Sequence, residues 1–273
     1  MHELLDRHSP ITAEAASAPA RAQPLLGKRA ALWIAAALAL AALLIFAAGR
    51  YTNIDFALAD MAFDEVTGTF PWRESWLTVT FSHRILKAGL ILLALAVMAA
   101  AAFDAIWPQP VLDAGLARLR LRVVAWSALL VPSVISLLKQ GSDAYCPWDL
   151  ARYGGDAPYV RLFEALPAGV LPGHCFPAGH ASSALWLVSL VVLWLPGDPR
   201  RAWRVWSQAM GFGLAVGWMQ QMRGAHFLSH TLWSAWVACA LVLAIVVLLQ
   251  AVQAGAGRRA APAVQAQAEG ENR

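Results

Sequence analysis

The chain has 273 residues, 59% of them hydrophobic and only 14% charged, with a net charge of +4 and a mean hydropathy of +0.53. Soluble domains carry about 25% charged residues, so a soluble globule is excluded, and so is disorder over most of the chain. The weak basic excess excludes a dense nucleic-acid-binding face, and three cysteines (Cys146, Cys175, Cys239) are too few for a disulfide scaffold and lack CxxC zinc spacing.

Residues 1–29 are polar and rich in Ala, Pro and Arg, and read as a disordered cytoplasmic lead. Six stretches then lack Asp, Glu, Lys and Arg: Ala31–Gly49, Ala88–Phe103, Val123–Leu138, Ala181–Gly197, Val205–Met222 and Thr231–Gly257. A crossing helix needs about 20 apolar residues, and the shorter stretches borrow flanking residues whose charged heads snorkel. The expected fold is all-α: a polytopic bundle of six transmembrane helices over residues 30–252. An Ala/Gln/Gly-rich cytoplasmic tail, also expected to be disordered, follows over 253–273.

With the N-terminus inside, thirteen of the 21 basic residues fall inside and eight outside, as the positive-inside rule prefers. Two outer segments are long. Arg50–Lys87 holds Phe56, Leu58, Met61 and Phe63 and reads as a short amphipathic piece on the membrane surface. Lys139–His180 is punctuated by five prolines and Gly154-Gly155 and reads as a structured loop.

This topology gathers chemistry at the outer surface. The fourth and sixth helices start there, at Gly179-His180 and His226–His230, and the third and fifth end there, at Lys139 and Arg223. Helix N-termini favour anions, Arg and Lys hold phosphate oxygens, and histidine serves as acid, base or nucleophile. Taken alone, His226 and His230 share a helix face and could pair on a metal with His174, Cys175 or His180. No carboxylate or second thiolate is clearly placed to complete such a site. Cys146 and Cys175 share the outer loop and could close a disulfide on an oxidising side.

The motifs themselves resemble the type 2 phosphatidic acid phosphatases, integral-membrane lipid phosphatases related to the vanadium haloperoxidases. Lys139, six residues, then Cys146-Pro147 is similar to the first motif, with Cys146 in place of Arg. Pro177-Ala178-Gly179-His180 is similar to the second, with Ala178 in place of Ser. Gly224–His230 fits the end of the third, with His230 in the Asp place and Gln220 in the Arg place.

The resemblance implies a nucleophile, His226, that forms a phosphohistidine, and an acid, His180. His230 would orient His226. Lys139, Arg223 and Gly179 would hold the phosphate, with Gln220 as further support. Arg152, close after the first motif, either stands in for the missing Arg or makes an ordinary charge pair on a surface turn. A second register makes Arg223 the motif Arg and His230 the nucleophile.

The resemblance further implies a hydrolase for a phosphate or pyrophosphate monoester of a membrane lipid, working without metal or cofactor. It would sit in a bacterial inner membrane, with its site at the periplasmic face. The alternatives are a lipid phosphotransferase with the same site, or a non-catalytic protein of this fold that binds an anionic lipid or a metal. Phosphorylated lipid and bilayer are the expected partners, and nucleic acid is not.

Overall fold

The computed structural model describes residues 24–113 and 116–271. Its helices are α1 (Lys28–Tyr51), α2 (Ile54–Ala62), α3 (Lys87–Ile106), α4 (Ala117–Gln140), α5 (Gly179–Leu185), α6 (Pro199–Met222) and α7 (Leu228–Glu271). A π-helical segment, Leu77–Leu86, runs into α3, and a 3₁₀ segment, Trp186–Leu193, continues α5. Among the described residues the only β-pairing is two isolated bridges, so the chain is all-α.

Among the described residues four helices are long and apolar enough to cross a membrane: Lys28–Tyr51, Leu77–Ile106, Ala117–Gln140 and Leu228–Ala256. The two other expected crossings differ from these for physical reasons. Gly179–Leu193 is apolar but short. Helix α6 carries Arg200, Arg201, Arg204, Gln208, Gln220 and Gln221 among its apolar residues.

Local chemistry sets the ends of α6. Pro199 occupies its first turn, where the missing N–H costs nothing, and the Asp198 carboxylate accepts from Arg201 N–H at 2.9 Å. At the other end Gly224 takes a left-handed φ of +73°. Gly224 N–H then donates to Gln221 C=O and Ala225 N–H to Gln220 C=O, each at 2.9 Å, which is the Schellman closure. The Phe70 ring packs where a Gly224 Cβ would lie, so this tight turn into His226 requires glycine twice over.

The core lies where α4, α5, its 3₁₀ extension, α6 and α7 meet, around Val123, Val131, Ile135, Leu185, Trp186, Val192 and Ala238. The apolar piece expected in Arg50–Lys87 is α2. It ties to α7 through buried Asp55, which accepts from Ser229 N–H at 2.9 Å and Ser229 Oγ at 2.5 Å. The long loop between α4 and α5 contains two 3₁₀ turns, Pro147–Asp149 and Ala151–Tyr153.

The expected lead lies mostly outside the described residues. Its end is packed: Leu25 is buried, and the Leu26 backbone pairs with the Gln250 amide of α7 at 3.0 and 3.3 Å. Helix α7 continues past residue 253, where the sequence reading begins a tail, because the Ala/Gln-rich composition there favours helix.

Candidate active site

A cavity of about 540 Å³ opens at the end of the bundle that carries the α4–α5 loop. Its polar end brings together Lys139 from the last turn of α4, Gly179 and His180 from the start of α5, Gln220 and Arg223 from the end of α6, and His226. The sequence reading names all six. Among the described residues no Asp or Glu lines the cavity. Lys139, Arg223 and Lys87 therefore face it with no carboxylate among the lining residues described, a composition suited to a multiply charged anion.

His83 and Lys87 line the same space and escaped the sequence reading. His83 lies in the π-helical segment and stacks on His180, with ring centroids 4.4 Å apart. His180 Nε2 lies 3.4 Å from the Ser82 carbonyl, which holds the ring from the same segment. The signal available beforehand was helical spacing: positions 83 and 87 are four apart and share a face.

Arg223 meets its setting through three contacts. Its Nη1 donates to Gln220 Oε1 at 3.0 Å, its Nε donates to the Arg73 carbonyl at 3.2 Å, and its guanidinium sits 5.6 Å from the Trp148 ring centroid. Gln220 is 2% exposed and its Nε2 has no partner among the described residues. With Oε1 engaged by Arg223, that amide is a free donor on a residue that lines the cavity. Trp148 N–H donates to Gly224 C=O at 3.0 Å, tying the first motif to the third.

His226 is buried, and burial first, then nearby His230 and Lys139, hold its imidazole well below the usual histidine range. Cys146 and Cys175 form a disulfide with a Cα–Cα distance of 5.3 Å. Cys175 Sγ lies 3.5 Å from His226 Nδ1. Sulfur thus occupies the Nδ1 side of the ring, leaving Nε2 as the nitrogen to face the cavity that His226 lines.

Two expected residues are elsewhere. Arg152 does not line the cavity. It is held by Asp60 of α2, at 3.0 Å from Nε and 2.7 Å from Nη2, and lies over Phe56. His230 is 1% exposed and sits behind His226, edge-on to it with centroids 5.8 Å apart, and against Phe176 and Phe227. Its Nδ1 has no partner among the described residues, and it does not line the cavity.

The cavity continues inward between α3 and α4, lined by Leu90, Ile91 and Ala94 on one side and Ala128, Pro132 and Ser136 on the other. From Lys139 to Ala128 along α4 is about 16 Å at 1.5 Å per residue. Pro132 cannot donate to the Ala128 carbonyl four residues earlier, so the ladder opens where these two residues line the groove.

No curated protein and no solved structure matches the chain. A family model described as the PAP2 superfamily matches residues 120–254. That stretch contains Lys139, His180, Gln220, Arg223 and His226, and over it the chain belongs to the PAP2 superfamily.

Proposed function

We propose that the protein is a lipid phosphatase whose head-group site is the polar end of this cavity. The observation that carries the reading is continuity. One space, about 16 Å from Lys139 to Ala128 along α4, joins three histidines and three cations to an apolar groove, and Ile91 on the groove wall is 45% exposed at the bundle surface. A phosphate at the polar end and a hydrocarbon chain in the groove match this division. A small soluble phosphate would leave the apolar part unused.

In this reading His226 Nε2 attacks phosphorus. A P–N bond forms, the P–O bond to the lipid breaks, and His180 protonates the departing lipid oxygen. Water then attacks the phosphohistidine, gives its proton to His180 and releases phosphate. Lys139, Lys87, Arg223 and the Gln220 amide hold the equatorial oxygens, and the Gly179 backbone lies beside them. Cys175 Sγ lies on the Nδ1 side of the ring. His230 supports His226 by packing. The steps need only these side chains and water.

We further propose six crossings in a bacterial inner membrane, with both termini cytoplasmic and the cavity periplasmic. The distribution of Lys and Arg supports this orientation. Gly179–Leu193 reaches about 26 Å because its second half has the longer 3₁₀ rise, close to the hydrocarbon thickness of about 30 Å. Phosphate release from long-chain lipid phosphates and from short soluble phosphomonoesters tests the function. The lipids should be hydrolysed at least 10-fold faster, and His226→Ala should be inactive. Equal rates on both substrate sets would refute the lipid reading.

A further inference from the structure

The Cys146–Cys175 disulfide lies against the ring given the nucleophile's role. Cys175 is fully buried, Cys146 lines the cavity, and the two sulfurs and a His226 ring nitrogen lie within 4.8 Å of one another. In a tetrahedral zinc site, Zn–S near 2.3 Å and Zn–N near 2.05 Å place sulfur and nitrogen about 3.6 Å apart. Cys175 Sγ and His226 Nδ1 are 3.5 Å apart. That edge of the tetrahedron is already present, and only the sulfurs must separate, from a bond of about 2.0 Å to roughly 3.8 Å.

We propose that reduction of this disulfide creates a zinc site made of Cys146 Sγ, Cys175 Sγ and His226 Nδ1, its fourth position open to the cavity. A dithiol entering the cavity attacks Cys146 Sγ. The protein S–S bond breaks, the dithiol supplies two electrons and two protons, and it leaves as its own disulfide. Zinc then displaces the two thiol protons to the buffer and binds the thiolates. Two thiolates and an imidazole, with no carboxylate lining the space, select a soft or borderline ion over magnesium or calcium. Building on the role proposed for His226, zinc at Nδ1 draws electron density from the ring and disables Nε2. The disulfide is then what keeps the nucleophile free of metal.

The test uses the full chain in detergent with Cys239→Ser, which removes the one free cysteine among the described residues. Zinc is titrated against a chromophoric chelator, before and after anaerobic reduction with a phosphine. The reduced chain should bind one zinc at least 100-fold tighter than the oxidised chain, and Cys146→Ser or His226→Ala should each lose at least 10-fold. Cobalt added to the reduced chain should show a thiolate charge-transfer band, which covers the case of a variant that fails to fold.

Equal affinity before and after reduction, or undiminished binding by Cys146→Ser, overturns the site. These readouts need no substrate, so they stand apart from the phosphatase reading. A chain that binds zinc in this way yet never hydrolyses lipid phosphate upholds the site and overturns the functional reading alone.

Discussion

Replacing Gln220 with Met should slow the enzyme without weakening the fold. Gln220 is buried, its Oε1 accepts from Arg223 at 3.0 Å, and its Nε2 is unpartnered in the ligand-free protein. A buried donor left unmade costs about 1–3 kcal/mol, and an apolar side chain of similar length removes that cost. Against this, Arg223 loses one acceptor, worth about 1.5 kcal/mol, and keeps its contacts with the Arg73 carbonyl and Trp148. The net change in stability is therefore near zero or a gain of about 1 kcal/mol.

Activity moves the other way. Loss of one preorganised donor to a developing oxyanion costs about 10²–10³ in kcat. Thermal unfolding in detergent and phosphate release on one preparation give both numbers. A Gln220→Met enzyme that keeps full kcat, or that loses more than about 2 kcal/mol of stability, would refute the assignment of Nε2 as a phosphate donor.

Three further predictions follow from the same geometry. A Cβ at Gly217 would overlap the Thr231 methyl of α7. Thr231 is buried and its Oγ1 accepts from Gln221 at 3.1 Å, so it cannot swing away. Gly217→Ala should cost about 1–3 kcal/mol by overpacking and lower kcat by shifting His226, both measurable in one melting and turnover series. Arg152→Ala removes an exposed pair with Asp60, which should change stability by no more than about 1 kcal/mol and leave kcat/KM intact. Burial lowers the pKa of the His226 imidazole, so it stays neutral as pH falls through about 6.5, the ordinary histidine value. The acid limb of kcat/KM should therefore lie below that ordinary value, and a half-loss at or above it would contradict the assignment.

His180, His226 and Lys139 were legible in the sequence because motif spacing and charge topology both point to them, and the cavity unites them. The sequence left Arg152 open between a stand-in for the missing Arg and an ordinary charge pair on a surface turn, and the structure shows the charge pair. Its partner Asp60 lies 92 residues away on α2, and local sequence carries no trace of that pairing. His83 and Lys87 were hidden for a related reason, since the stretch up to Lys87 was read as surface chain, whereas it is a π-helix running into α3 and both residues line the cavity. The two loop cysteines suggested a disulfide. That its sulfur would rest on His226 Nδ1 depends on the Schellman turn at Gly224 and on how the loop folds back, which spacing does not encode. His230 looked like an orienting partner from its position in the motif. In three dimensions it is packed among aromatic rings behind His226.

The central claim is that His226 carries the phosphoryl group. The direct measurement is rapid acid-free quenching of the full chain with a radiolabelled long-chain lipid phosphate, followed by peptide mapping of the label. The account predicts an acid-labile, base-stable label on His226 in wild type, and no label on His226→Ala or His226→Asn. Label on another residue, or normal turnover by the His226 variants, would contradict it.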